Sequence, residues 1–322
     1  MEMMTSICCI TYNHEKYIAD AIESFLMQKT NFNYEILIHD DASTDKTSDI
    51  IREYETKYPE LIKPIYQTEN QYSKGVKTFN FSLQRAEGKY IAICEGDDYW
   101  TDPYKLQKQV DYMEKHPECS ICVHAAYRVS PEKIKKKSHI RPNCGNKIFT
   151  VEEVIEGGGD LFPTNSILYP AVFCKNRPDF YENAPVGDYP LAIYLSLQGT
   201  IYYIDEFMSA RRVDVKDSWT DRLSSIERIV AHYNKIVDMF DELNRYTEYK
   251  YDNAIKKSKK RNHFNLMLNK GMFKEAKEEE FEEIYSALDV KTKIKIFIKQ
   301  YCPSIAKVLI NIKRKLVRCT MK

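Results

Sequence analysis

Two adjacent acids, Asp97 and Asp98, follow the apolar run Lys89-Tyr90-Ile91-Ala92-Ile93-Cys94 and the pair Glu95-Gly96. Carboxylates placed side by side repel unless a cation lies between them. Hard divalent ions such as Mg²⁺ or Mn²⁺ take oxygens of this kind and usually share them with substrate phosphates. A second acidic pair, Asp40-Asp41, follows Tyr34-Glu35-Ile36-Leu37-Ile38-His39. A polar cluster, Thr11-Tyr12-Asn13, follows Ser6-Ile7-Cys8-Cys9-Ile10. Each cluster alone also suits turn chemistry, because Asp, Asn and Ser favour loops and helix N-caps. Asp45, just ahead of a helical run, fits a cap. Asp188, in Gly187-Asp188-Tyr189-Pro190-Leu191, opens another helical run and suits a cap, a general base, or both.

The apolar runs at 6–10, 34–39, 61–66 and 89–94 read as strands. Between them apolar residues repeat at helical spacing: Ile18, Ala21, Ile22, Phe25 and Leu26, then residues 46–58, then 76–86. Pro103 opens a further helix with Leu106, Val110 and Met113 on one face. Strand and helix alternate to about residue 115, which predicts a parallel sheet with helices on both faces. Ligands of open α/β sheets bind at the carboxyl ends of the strands, so the three polar clusters are expected along one edge. From 119 to 212 the pattern is mixed, with strands over 119–124, 166–173 and 200–204 and a helix over 189–197. Gly157-Gly158-Gly159 reads as a loop and residues 133–137 as a charged surface excursion. Beyond about residue 224 the chain is helical and polar. The expected domains are 1–220, α/β, and 221–322, helical.

Composition narrows the function classes. The 322 residues are 43% hydrophobic and 12% aromatic, enough to bury a core without disulfide or metal staples. Net charge is +1, which disfavours a nucleic-acid binder. Residues 290–322 hold ten Lys/Arg and no Asp/Glu, so the preceding 289 carry the balance, −9. Nine cysteines, several inside apolar runs, read as reduced buried thiols. Cys119-Ser120-Ile121-Cys122 has CxxC spacing, but no second pair completes a zinc site. Neither GxxxxGK[ST] nor GxGxxG occurs, which removes the P-loop and dinucleotide readings. With no glycine cradle, a diphosphate needs a metal ion and basic residues to neutralise it. No signal-peptide pattern and no spanning run is seen, so a cytoplasmic location is expected.

Taken in order, Ser6-Ile7-Cys8-Cys9-Ile10-Thr11-Tyr12-Asn13, Glu35-Ile36-Leu37-Ile38-His39-Asp40-Asp41-Ala42-Ser43-Thr44-Asp45-Lys46-Thr47 and Gly88-Lys89-Tyr90-Ile91 leading to Gly96-Asp97-Asp98 resemble the family 2 glycosyltransferases over about residues 4–220. The closest likeness is to bacterial capsule or O-antigen transferases. The resemblance implies a GT-A fold, a Rossmann-like mixed sheet flanked by helices, here followed by a helical C-terminal extension. It implies an inverting enzyme with a nucleotide-sugar donor, a UDP-sugar by preference, and a divalent cation, Mn²⁺ or Mg²⁺, at a DxD-type motif. Carried over residue by residue, Tyr12 lies against the uracil, Thr11 and Asn13 shape the pocket, Asp41 accepts from the base and Asp40 supports the loop. Lys77 approaches the base and phosphates, Asp97 meets the ribose or sugar, Asp98 holds the metal and Asp188 is the base. Many relatives carry Arg then His late in this domain. Here Arg211-Arg212-Val213-Asp214 puts an acid at the His position, and Arg212 is assigned to the phosphates.

The acceptor is expected to be a glycan or lipid-linked glycan of surface-polysaccharide synthesis, met by residues 157–169 and 212–219, with Trp219 free to stack on a sugar. Two other classes were weighed: a metal-dependent phosphotransferase or phosphatase, and a non-catalytic sugar-nucleotide binding protein. In the tail, Ile294, Phe297, Ile298 and Tyr301, and after Pro303 Ile305, Val308, Leu309, Ile312 and Leu316, repeat at helical spacing among the basic residues. Such a pattern suits peripheral attachment to an anionic membrane surface or packing on the acidic body.

Overall fold

The apolar run at the start of the chain forms β1 (Met3–Thr11), the centre of a parallel set. It pairs with β2 (Asn33–Asp40) on one side and β4 (Tyr90–Ile93) on the other, and β2 pairs with β3 (Ile62–Tyr66), all parallel. Ile7, Cys8, Cys9, Ile36, Leu37, Ile38, Ile91 and Ala92 are fully buried. Strands covered on both faces read as continuous apolar runs, which is why these were legible. Ile18, Ala21, Ile22 and Phe25 form the buried stripe of α1 (Ile18–Leu26). Burying each of the larger ones fully contributes about 1.5–3 kcal/mol. Helices α2 (Thr47–Lys57), α3 (Phe79–Leu83) and α4 (Lys105–Lys115) follow their strands.

The structure is a computed structural model and describes residues 2–215 and 225–302. Trp219 and the tail pattern after Pro303 lie outside the described residues. The chain divides into two compact units, 1–218 and 219–322.

The first unit holds a ten-stranded sheet of order β3-β2-β1-β4-β9-β6-β10-β5. Past β4 it is mixed. β9 (Leu168–Pro170) is antiparallel to both β4 and β6 (Cys119–Val129), and β10 (Thr200–Arg212) is parallel to β6. β5 (Tyr99–Trp100) and β8 (Lys147–Phe149) are antiparallel to β10, and β7 (Lys135–Ile140) to β6. The wholly parallel expectation therefore holds for four strands, and the mixed sheet for the whole. Between α5 (Val151–Gly157) and α7 (Asp188–Ser196) lies one short helix, α6 (Asp179–Glu182).

Four local expectations are corrected. The helix over 76–86 shrinks to α3, because Gly75 at φ +79° and the anchored turn before it fix the backbone outside helical geometry. The strand over 166–173 shrinks to three residues, flanked by the 3₁₀ turns Thr164–Ser166 and Ala171–Cys174. The charged excursion at 133–137 enters an edge strand, β7, whose exposed Lys135 and Lys136 suit an edge. β10 runs further than the pattern suggested because Asp205 and Glu206 fall in a bulge, opposite the step from His124 to Ala125.

In the second unit α8 (Ile226–Tyr246) and α9 (Asp252–Lys270) pack through Ile236, Met239, Phe240, Leu243, Ala254 and Ile255. Phe264, Ala276 and Phe281 form a small core beyond them. Two helices close the described chain, α10 (Glu282–Ala287) and α11 (Val290–Tyr301). Among the described residues no helix is long and apolar enough to cross a membrane.

Candidate active site

The carboxyl ends of β1, β2 and β4 meet through the backbone. Thr11 stands opposite Asp40 in the β1–β2 register. The Asp41 N–H donates to the Thr11 carbonyl at 3.0 Å and the Gly96 N–H to the Ile10 carbonyl at 2.9 Å. The three polar clusters therefore share one edge, as the strand pattern required. At Gly96 any Cβ would lie 2.7 Å from Thr11 Oγ1 and 3.1 Å from His14 Nδ1, so only glycine fits there. Both of those atoms are buried without a hydrogen-bond partner. They are unspent polar atoms at the strand ends, close to the acidic loop.

Most of the first two clusters is spent on holding loops. Asn13, at φ +56°, donates its N–H to Ser43 Oγ at 2.9 Å and accepts the Thr44 N–H at 2.8 Å. Asp45 accepts the Thr47 N–H at 2.9 Å at the head of α2, and the Glu15 N–H at 3.1 Å. The buried Asp40 carboxylate accepts from Ser43 Oγ, and burial pushes its carboxyl above the usual range. Asp41 is buried too. Its Oδ1 accepts the Gln71 N–H at 2.8 Å and its Oδ2 the Tyr72 N–H at 3.0 Å, fixing the turn after β3. Tyr12 is half-buried between Thr11 and Asn13.

The acidic loop departs from expectation in a specific way. Asp98 is 3% exposed, its Oδ1 accepts the Arg212 N–H at 2.8 Å, and its Oδ2 accepts from Asn165 Nδ2 at 3.0 Å. It ties the loop to β10 rather than offering oxygens to the cleft. Asp97 is half-buried, and Glu95, two residues before it, is exposed. Burial foremost, then the charges of Asp97 and Glu95, raise the Asp98 carboxyl well above its ordinary value. Glu95 is also raised, by its crowded surroundings first and by Asp97 and Asp188 next. Arg211 opposes both shifts. The charges of Asp97 and Asp188, from two distant parts of the sequence, thus both reach Glu95.

Asp188 is the first residue of α7 rather than its cap, which is Gly187. Its Oδ2 accepts from Thr164 Oγ1 at 2.8 Å, and its Oδ1 lies 2.8 Å from the Tyr189 N–H. Asp188 lines a cavity with Gly158, Gly159, Leu161, Phe162 and Ile167, part of the segment expected on the acceptor side.

Two basic residues sit elsewhere than expected. The Lys77 ammonium donates to the Tyr181 carbonyl at 2.6 Å and lies 3.4 Å from Glu182, so the structure sets it on α6. The Arg212 side chain is fully buried. It donates to Asp20 and to the Asp97 carbonyl and lies between the Tyr17 and Tyr99 rings, with centroids 4.9 and 4.8 Å away. That makes it a brace for the acidic loop rather than a phosphate ligand. Arg211, one residue before it, is the cation that acts on Asp98 and Glu95, and its Nη1 donates to Asp160 at 3.0 Å. Asp214, at the expected His position, is exposed and pairs with Lys136 at 3.1 Å.

Sequence reasoning missed Asn165, which binds Asp98, the Ala210 carbonyl and Ser209 Oγ at once. A lone Asn in a loop carries no signal for this. Glu95 did carry one, since Glu95-Gly96-Asp97 has the acid-x-acid spacing that the adjacent pair lacks. Among the described residues no three His, Cys, Asp or Glu side chains are placed to hold a metal by themselves. The donor set fits a hard cation that is shared with a ligand's phosphates.

A parallel sheet continued by mixed strands and flanked by helices, with acids gathered at its strand ends, defines an α/β fold of the Rossmann-like class. Residues 6–171 match the family described as glycosyl transferase family 2, and the chain belongs to that family. An uncharacterized protein of Mycobacterium tuberculosis is 38% identical over 226 residues, 67% of this chain and 62% of that one. The chain thus spans less than two thirds of that relative's length. The UDP-Glc:alpha-D-GlcNAc-diphosphoundecaprenol beta-1,3-glucosyltransferase of Escherichia coli is 39% identical over 112 residues, 34% of this chain and 41% of that one. The structure of S. aureus TarS 1-349 in complex with UDP-GlcNAc superposes with a TM-score of 0.60 at 19% identity, covering 92% of this chain and 79% of that one. That likeness is one of fold, and the fold is GT-A.

Proposed function

We propose that this protein transfers a sugar from a UDP-sugar to a hydroxyl of a glycan or lipid-linked glycan acceptor, with inversion at the anomeric carbon. The observation that carries the reading is Asp188 at the head of α7, held by Thr164 Oγ1 and lining a cavity with Gly158, Gly159 and Phe162, with its charge felt at Glu95 of the acidic loop. The UDP-Glc donor and diphosphoundecaprenol-linked acceptor in the name of the E. coli relative support the donor and acceptor classes.

Asp188 takes the proton from the acceptor hydroxyl as that oxygen attacks the anomeric carbon, and the nucleoside diphosphate leaves from the opposite face. One displacement inverts the centre. Thr164 Oγ1 orients the Asp188 carboxylate. Thr11, Tyr12 and Asn13 form the nucleoside side of the pocket, and Asp40 and Asp41 hold its walls. Glu95 and Asp97, in place of Asp98, would hold Mn²⁺ or Mg²⁺, which neutralises the departing diphosphate. Arg211 replaces Arg212 as the basic residue nearest this charge. Lys77 keeps a donor role only if α6 releases it.

A donor screen tests the reading. UDP-, GDP- and TDP-sugars are offered with Mn²⁺ and nucleotide release is followed. Release from one UDP-sugar, stimulated by a glycan acceptor, is the expected result. Hydrolysis of an aryl phosphate with no donor turnover would favour a phosphatase, and UDP binding with no turnover a binding protein.

A further inference from the structure

We infer that the outward face of the last described helix, Val290–Tyr301, is a docking surface for an anionic lipid bilayer. Val290, Ile294, Phe297 and Tyr301 are 72, 52, 55 and 58% exposed. At 3.6 residues per turn they fall within one stripe about 60° wide. Lys291 and Lys293 flank it on either side, by about 70–90°.

The helix does not need this stripe to hold its place. Its other side is already engaged: Ile296 is buried and Gln300 accepts from Lys277 at 2.6 Å, while the flanking Lys293 donates to the Ser286 carbonyl at 2.7 Å. Asp289 caps its N-terminus by accepting the Thr292 N–H at 3.0 Å. Four large apolar side chains are therefore left in water on a helix anchored by its opposite face, where isolated exposure of one would need no explanation.

Charge selects the occupant. From Val290 to Lys322 there are ten Lys/Arg and no acid. A second copy of the same face would bring like charges together, so self-pairing is opposed. An anionic bilayer takes apolar side chains below its headgroups and lysines at them, which matches an apolar stripe with lateral lysines. This helix belongs to the second unit and the donor-site residues to the first, and the inference survives or fails independently of the donor reading.

The test is flotation of the full chain with vesicles of phosphatidylglycerol and phosphatidylcholine in equal parts. Vesicles of phosphatidylcholine alone serve as control. The parent should float with the anionic vesicles at low salt, stay behind with the neutral ones, and release as salt rises. The full-length double variant Ile294→Ser/Phe297→Ser, with unchanged circular dichroism and thermal midpoint, should lose about tenfold or more of the bound fraction. Equal flotation of parent and variant would overturn the inference, as would a parent that ignores anionic vesicles at low salt. A lipid-free dimer of the parent that this variant dissociates would assign the face to a second copy instead. Lys291→Gln/Lys295→Gln, which leaves the apolar stripe intact, should weaken binding and flatten its salt dependence; an unaltered salt dependence would count against the charge argument.

Discussion

Asp98 gives both carboxylate oxygens to protein donors, whereas Asp97 beside it is half-buried and its charge acts on Glu95. Substitution should separate the two. In Asp98→Asn one acceptor becomes an amide donor that meets Asn165 or the Arg212 N–H, at a cost of about 1–3 kcal/mol. Its thermal midpoint should fall, with UDP affinity retained in the folded fraction. Asp97→Asn should keep its midpoint and lose Mn²⁺-dependent UDP affinity in calorimetry. The opposite pattern would return the cation to Asp98. The acids of this site were legible because each follows an apolar strand, and strand ends are where such sheets bind ligands. Which acid faces inward was not, because the decisive partners, Asn165 and the Arg212 backbone, lie 67 and 114 residues away. For the same reason Lys77 and Arg212, basic residues near a motif in sequence, turn out to serve Tyr181 and Asp20.

At the scale of elements, two buried polar groups set the behaviour of the sheet and its helices. Glu35 on β2 accepts from Ser6 Oγ at 2.6 Å, Lys63 at 2.8 Å and the Glu87 N–H at 2.8 Å, tying β1, β2 and β3 to the turn before β4. Burial opposes its ionisation, but these donors outweigh burial and hold the carboxyl below its usual range. A lowered folded value adds stability above the unfolded value near 4.3, lost as pH falls through the folded one. Glu35→Gln should therefore cost about 1–2 kcal/mol at pH 7 in urea unfolding, a gap that closes in acid. A gap independent of pH would contradict this.

Lys105 on α4 is the converse case. Its ammonium is buried without a hydrogen-bond partner, 3.9 Å from the Trp100 ring centroid, and burial lowers its value to about 7. Between pH 7 and about 10 the unfolded chain holds this proton and the folded one does not, so stability rises with pH there. Lys105→Met should be at least as stable as the parent at pH 6, with its advantage shrinking towards pH 10. A less stable Met variant at pH 6 would show that the Trp100 contact outweighs burial. The amphipathic pattern of α4 gave Leu106, Val110 and Met113 correctly and hid Lys105 and Gln109 on the same buried side. Periodicity likewise found the four parallel strands, and could not find the two-residue β5 or the three-residue β8, which are too short to show a period.

For the whole molecule, the acidic and basic halves of the charge fall in different places. The acids at the sheet edge belong to the first unit, and the ten basic residues after Val290 belong to the second. In the proposed reaction Asp188, 91 residues beyond Asp97 in the sequence, is the base of the glycosyl transfer. Asp188→Asn keeps side-chain size and an oxygen for Thr164. With the UDP-sugar found in the donor screen, UDP affinity and thermal midpoint should stay near those of the parent while transfer falls about 10²–10⁴-fold. Normal transfer per folded molecule, with the midpoint lowered, would contradict the account and reduce Asp188 to a helix-terminal acid.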